Sequence, residues 1–283
     1  MALKWVCGRF DFDLNKTGPL LMGIINVTPD SFSGDGMYAQ ADAAIAKGLA
    51  LIADGARILD IGGESTRPGA QPVSADEEIA RIMPVLEVFR DVDVALSVDT
   101  RHASVMKAAL DAGADIINDI SGFRDPQAQA LIASHPNCGV CIMHMQGDPS
   151  TMQIKPQYTD IVSEVKHYLV TQAQKLETLG IVRQRICVDP GFGFGKSVDQ
   201  NYQLLAQLTT LTEAEYPVLI GVSRKSMIGV PTQKSVKERV FGSVAAAVCG
   251  LERGASILRV HDVSATLDAL RVWQAVQHGV ISE

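Results

Sequence analysis

Eight short, nearly continuous apolar runs recur along the chain, separated by longer stretches with helical periodicity. This alternation limits the fold more than any other feature. The runs are Leu20–Asn26, Ala56–Ile61, Val94–Asp99, Ala114–Asp119, Gly139–His144, Arg185–Asp189, Val218–Val222 and Ser256–Val260. Strands apolar on both faces belong to a parallel sheet covered on both sides. Between them, helical patterns span Ala39–Ala53, Asp76–Phe89, Ala103–Asp111, Gln127–Ser134, Ile161–Leu179, Gln200–Leu208, Lys237–Arg253 and Ala265–His278. Eight units in 283 residues give about 35 residues each, the size of a βα repeat. Gly55, Gly113, Gly180 and Gly254 each stand between a helical pattern and the next strand, where a left-handed residue ends a helix. The reading is α/β, a (β/α)8 TIM barrel, with a doubly wound open sheet as the alternative that spacing alone leaves open.

One asymmetry favours the barrel. Segments after strands, such as Gly62–Ser74 and Pro190–Val198, are long, polar and rich in Gly and Pro, whereas those after helices are short. Long loops on one face suit a barrel active site at the C-terminal ends of its strands. Residues 1–19, with Trp5 to Phe12 and the turn Lys16-Thr17-Gly18-Pro19, predict a short N-terminal β-hairpin closing the opposite end. Residues 1–283 read as a single domain.

Composition narrows the function. The 25 basic residues against 32 acidic ones give a net charge of −7, which argues against a nucleic-acid partner because no basic surplus exists to neutralise phosphates. No apolar run approaches the roughly 18 residues of a membrane span. The start, Met1-Ala2-Leu3-Lys4-Trp5, is followed at once by Arg9, Asp11 and Asp13, so no signal peptide is expected. Five cysteines, an odd number lying mostly in apolar stretches, fit a reduced, cytoplasmic enzyme.

Polar residues gather where the apolar runs end: Asn26, Asp60, Asp99, Asn118 and Asp119, Asp189, the Ser223-Arg224-Lys225-Ser226 stretch, and Arg259 with His261 and Asp262. In a barrel these converge on one mouth. Asp99, Asp189, Asn118 and Lys225 suit the reading of a planar heterocycle, since a carboxylate accepts two parallel N–H bonds from a 2-amino-pyrimidinone edge. Arg67, Arg259 and His261 on an acidic protein read as local anion binders. Three other motifs fail. Gly191 to Ser197 resembles a phosphate-binding loop, but its required first glycine falls on Pro190. Cys138-Gly139-Val140-Cys141 has no second cysteine pair, and the six histidines lack zinc-hydrolase spacing.

Taken in order, these blocks resemble dihydropteroate synthases. Asn26-Val27-Thr28-Pro29-Asp30-Ser31-Phe32-Ser33 and Gly63-Glu64-Ser65-Thr66-Arg67-Pro68-Gly69 are similar to that family's two signature loops. Ser97-Val98-Asp99-Thr100, Asn118-Asp119, Asp189 to Lys196, Ser223-Arg224-Lys225-Ser226 and Arg259-Val260-His261-Asp262 match its remaining blocks. The first loop departs from the usual Ser-Phe-Ser-Asp-Gly-Gly, since Ser33-Gly34-Asp35-Gly36 moves the acid one place later. The resemblance implies condensation of 6-hydroxymethyl-7,8-dihydropterin diphosphate with 4-aminobenzoate to 7,8-dihydropteroate and pyrophosphate. It implies that Asp99, Asn118, Asp189 and Lys225 hold the pterin, with Met143, Phe192 and Gly221 lining its slot. It places the diphosphate against Asn26, Thr66, Arg259 and His261, with Mg2+ on Asn26, and 4-aminobenzoate against Phe32, Thr66, Arg67, Pro68 and Ser226. Asp99, Lys225, Arg259 and Asn26 would carry the chemistry, in a homodimer sensitive to sulfonamides. A methyltetrahydrofolate-binding methyltransferase shares such a barrel but needs no diphosphate site. A non-catalytic pterin binder would be expected to lack Lys225, Arg259 or Asn26, and an interaction scaffold needs no polar strand ends.

Overall fold

The computed structural model describes residues 3–28, 37–65, 71–148, 152 and 156–280. The hairpin strands are β1 (Lys4–Cys7) and β2 (Phe10–Asp13), followed by the short helix α1 (Leu14–Thr17). The barrel strands are β3 (Leu20–Asn26), β4 (Ile58–Gly62), β5 (Ala95–Asp99), β6 (Ile116–Asp119), β7 (Gly139–Met143), β8 (Ile186–Asp189), β9 (Leu219–Ile220) and β10 (Ile257–Val260). All their pairings are parallel, in the order β8-β7-β6-β5-β4-β3-β10-β9. A parallel bridge between Val188 and Val218 joins the two ends and closes the cylinder. That seam is thin because Pro217, just before β9, has no N–H to give to a ladder; it only accepts, from the Val188 amide at 2.9 Å.

Helices α2 (Met37–Ala53), α3 (Ala75–Phe89), α4 (Ala103–Asp111), α5 (Pro126–Ser134), α6 (Ile161–Thr178), α7 (Val198–Ala206), α8 (Thr209–Thr212), α9 (Ser226–Thr232), α10 (Val240–Leu251) and α11 (Val263–His278) surround the strands. The reading of one helix over Lys237–Arg253 is corrected. A separate turn at Val236–Glu238, closed by Ser235 and Glu238 capping each other, precedes α10.

Side chains alternate between two apolar layers, which explains the nearly continuous apolar strands. One layer packs between strands and helices, with Leu21, Ile25, Leu59, Ile61, Leu96 and Val98 among its members. The other fills the barrel's N-terminal half: Met22, Ile58, Ala95, Ile116, Cys141, Cys187, Leu219 and Ile257, sealed from below by Trp5, Cys7, Phe12 and Leu14 of the hairpin. The same alternation puts Cys138 in the outer layer and Cys141 in the inner one, on opposite faces of the sheet.

The hairpin is fastened by specific bonds. Trp5 Nε1 donates to the Arg185 carbonyl at 3.1 Å. Asp115 receives the Arg9 amide (2.9 Å), Arg9 Nε (3.1 Å) and Nη2 (2.9 Å), and the Leu96 amide (2.9 Å). Gly8 at φ +55° lies so close that a Cβ there would meet Asp115 Oδ1 at 2.3 Å. Asp115→Ala strands the Leu96 amide and frees the plug. A loss of about 2–4 kcal/mol in urea unfolding is expected, typical of a broken buried charged network.

Candidate active site

Every second residue along each strand points into the barrel. Above the apolar floor, the inward sequence runs Ile58, Asp60, Gly62 on β4, Ala95, Ser97, Asp99 on β5, and Ile116, Asn118 on β6, with Gly62 beside Asp99 and Asp99 beside Asn118 in register. On β7 and β8, Met143 and Asp189 are neighbours. On β10, Arg259 sits in register with Met22. A polar layer thus lies directly on an apolar one.

Arg259 organises that layer. Its Nε donates to Asp60 Oδ2 at 2.6 Å and its Nη2 to Asp99 Oδ2 at 2.7 Å. Asp60, fully buried, also accepts from Ser97 Oγ at 2.6 Å and Asn118 Nδ2 at 3.3 Å. Asp99 keeps one buried oxygen, Oδ1, without a hydrogen bond. Burial pushes the Asp99 carboxyl up to about 7, against the pull of Arg259 and with the repulsion of Asp60. The guanidinium is held more firmly protonated than usual: the Asp60 and Asp99 carboxylates outweigh its own desolvation.

Across the mouth, Asp189 Oδ1 accepts the Gly191 amide at 2.7 Å, and burial raises its pKa. Lys225 donates to the Phe192 carbonyl and stands 4.7 Å from the centre of the Phe194 ring. Enclosure lowers its ammonium to about 8, although Asp189 and Asp99 favour the charge. Lys225 is packed among protein atoms yet still touches water at the open mouth. Phe192 is fully buried, Met143 nearly so, and Gly221 leaves room beside Lys225 Nζ, 3.8 Å from where a Cβ would stand.

Desolvation and nearby cations depress the His261 imidazole to about 3, so it is neutral. Its backbone amide donates to Ser223 Oγ at 3.2 Å, and its Nδ1 lies 3.1 Å from the same oxygen. A neutral imidazole has one N–H and one acceptor nitrogen, and the Ser223 hydroxyl can pair with Nδ1 in either sense.

Asn26 ends β3 in register with Gly62, and Ser226 opens α9, exposed. Asp119 does not join the mouth: buried on the other face, it accepts from the amides of Ser121 and Phe123, each at 2.7 Å, and shapes the turn after β6. Phe32, Asp35, Thr66, Arg67 and Pro68 lie outside the described residues. Sequence reasoning assigned Asp60 no role, although its place two residues before Gly62 carries the signal. It also passed over Lys196 and His144, which touch in the interior. Two surface hollows of about 360 and 410 Å³ share no residue with the strand-end set.

Beside the mouth, Arg101 grips Glu64 with two bonds of 3.0 and 3.1 Å. His102 Nε2 lies 3.9 Å from Glu64 and 4.0 Å from Glu78. These three side chains are the one metal-ligand grouping among the described residues, but Arg101 already neutralises Glu64. Neither Glu78 oxygen has a well-formed hydrogen bond, and burial lifts its carboxyl from 4.5 to about 7, partly opposed by the Thr100 hydroxyl. The folded protein therefore holds this proton over a range where the unfolded chain releases it. The resulting stability is complete below the unfolded value and is lost as pH rises through 7. Glu78→Gln is expected to flatten the pH dependence of urea unfolding between pH 5 and 8 by up to about 3 kcal/mol relative to the parent.

A closed barrel with two carboxylates, an amide and an ammonium at its mouth, and an arginine beside them, is the architecture of a pterin-binding enzyme. Residues 22–261 match the family model described as pterin binding enzyme. The dihydropteroate synthase of Neisseria meningitidis serogroup B is 51% identical over 278 residues, 96% of this chain and 97% of that protein. The Xanthomonas albilineans dihydropteroate synthase structure with 4-aminobenzoic acid superposes with a TM-score of 0.92 at 48% identity, covering 98% of this chain and 99% of that one. The Burkholderia cenocepacia enzyme complexed with 7,8-dihydropteroate gives 0.89 at 50% identity, with 98% of each chain covered. The chain belongs to the dihydropteroate synthase family.

Proposed function

We propose that the chain joins 6-hydroxymethyl-7,8-dihydropterin diphosphate to 4-aminobenzoate, giving 7,8-dihydropteroate and pyrophosphate. What supports this reading is the gathering of Asp99, Asn118, Asp189 and Lys225 at the barrel mouth, beside Met143, Phe192 and Gly221 and close to Arg259 and His261. Asp189 has one carboxylate oxygen bound to Gly191 and offers the other to the amino-pyrimidinone edge of the pterin. Asn118 and Lys225 complete the ring's polar contacts.

The leaving group is the difficult part, because an aryl amine is a weak nucleophile. Arg259 uses one N–H each of Nε and Nη2 on the carboxylates, which leaves both N–H groups of Nη1 and one of Nη2 for a diphosphate oxygen, with His261 two residues further on. Mg2+ fits here: it takes one or two protein ligands plus phosphate oxygens and water, and Asn26 offers an amide oxygen while Asp99 Oδ1 is unbonded nearby in the register. When bound, the metal neutralises charge on the departing pyrophosphate. As that bond loosens, positive charge develops on the pterin methylene, and ionised Asp99 close to the ring stabilises it. Arg259 makes that ionised state accessible. In this reading Phe32, Thr66, Arg67, Pro68 and Ser226 receive 4-aminobenzoate.

Pyrophosphate release from the pterin diphosphate, followed with and without 4-aminobenzoate, tests the function. Release dependent on both 4-aminobenzoate and Mg2+ is expected, and no release under any condition refutes the reading. Asp189→Asn is expected to weaken pterin binding by calorimetry about tenfold to over a hundredfold, the ~1.5–3 kcal/mol of a charge-assisted bond. Sulfonamides present the same aniline nitrogen as 4-aminobenzoate. Steady-state kinetics are expected to show competition with 4-aminobenzoate.

The whole chain, 1–283, acts in this reading as one cytoplasmic domain; no helix among the described residues is long and apolar enough to cross a membrane. It pairs as a homodimer through the last helices. Phe241 on α10 is 88% exposed, and Val272, Val276 and Val280 form an exposed stripe along and just beyond α11. Such a patch is costly to leave in water. Val276→Asp is expected to give the monomer mass in light scattering, where the parent gives twice that mass.

A further inference from the structure

Lys196 is a buried cation that the reaction as derived does not use. Its residue is 3% exposed. Its Nζ lies 2.9 Å from the Gly191 carbonyl, 2.9 Å from the Phe194 carbonyl, 3.3 Å from the His144 carbonyl and 3.0 Å from His144 Nδ1. The ammonium therefore points back into its own turn and offers nothing to a phosphate. Every acceptor it reaches belongs either to the turn after β8 or to His144, which directly follows Met143 at the end of β7.

That turn needs a fastening. Gly191, Gly193 and Gly195 all have positive φ, at +68°, +81° and +59°, a conformation glycine adopts freely but loses entropy to keep. The turn also carries three contacts that shape the slot. The Gly191 amide holds Asp189, the Phe192 carbonyl receives Lys225, and the Phe194 ring stacks below that ammonium. Two neutral bonds assist from outside, Asn201 Oδ1 accepting the Gly193 amide at 2.7 Å and Tyr158 donating to the Gly195 carbonyl at 2.8 Å. Neither bond reaches His144. The His144 amide meets the Asp189 carbonyl at 3.0 Å, where β8 ends, and Lys196 joins His144 to the carbonyls further along the turn, those of Gly191 and Phe194.

We infer that Lys196 is a positioning residue for pterin binding: it pins the glycine-rich turn against His144 so that Asp189 and Lys225 meet the ring in register. The inference rests on the proposed pterin reaction. Its physical basis is that one ammonium shared among carbonyls replaces several separate bonds and is stronger than neutral donors. His144 is built for the same task. Burial and the neighbouring Lys196 hold its imidazole at about 3, so Nδ1 is free to accept, and its ring is fixed edge-on against Tyr168, 5.0 Å between centres. Burial lowers the Lys196 ammonium to about 7, while Asp189 favours its charge and Lys225 opposes it, so the lysine is tied electrostatically to both residues it positions.

The test is Lys196→Met, which keeps the length and removes every donor. With the parent active in the same assay, KM for the pterin diphosphate is expected to rise tenfold or more, while KM for 4-aminobenzoate stays within twofold. Calorimetry with a diphosphate-free pterin should show the same loss. Lys196→Gln, which retains two donors for the carbonyls, should recover part of the affinity. A folded Lys196→Met with pterin KM within twofold of the parent, or with both KM values raised alike, overturns the inference. If that variant does not fold, His144→Gln carries the test, with pterin KM expected to rise at least threefold at unchanged 4-aminobenzoate KM; equal values overturn the inference. An inactive parent would instead refute the proposed function, so the two failures are distinguishable.

Discussion

One guanidinium between two carboxylates governs the interior of this barrel. Without Arg259, Asp60 and Asp99 would place two negative charges in a dry layer directly above an apolar floor, a desolvation cost of several kcal/mol per ion. With it, Asp60 is fully bonded and Asp99 stays poised between its protonated and ionised forms. The barrel's upper half is therefore open to a polar ligand because its charges are already balanced. The helices and the hairpin plug hold the cylinder in which that balance exists.

Much of this was legible in the sequence. The nearly continuous apolar strands announced a parallel sheet, and the hairpin was visible as a separate short unit before Leu20. The strand-end residues Asp99, Asn118 and Asp189 could be picked out because apolar runs rarely end in such groups without reason. Which face they took was harder to see. Asn118 and Asp119 are adjacent, yet one bonds Asp60 inside the barrel and the other shapes a turn outside it; only the registers decide between them.

Long-range pairing was not legible at all. Arg259 meets partners 199 and 160 residues away, and no local pattern specifies them. Lys196 shows the opposite difficulty. Its surroundings, three glycines and a serine, resemble a phosphate loop closely enough that a failed spacing ends interest in it. What the spacing cannot say is that the side chain turns inward to bind its own backbone.

The seam of the cylinder is uneven. Seven junctions are ladders between named strands, but β8 meets the start of β9 through a single bridge at Val188 and Val218, next to a proline. Asp189 stands at one lip of that gap, and Lys225 follows the strand at the other. A flat ring gripped by both would act as a rivet across the weakest joint of the wall. Ligand occupancy and barrel closure then become one equilibrium, since whatever binds only the closed form stabilises it. Amide exchange at Val188, whose N–H bonds the Pro217 carbonyl across the seam, would report occupancy from the outside of the barrel.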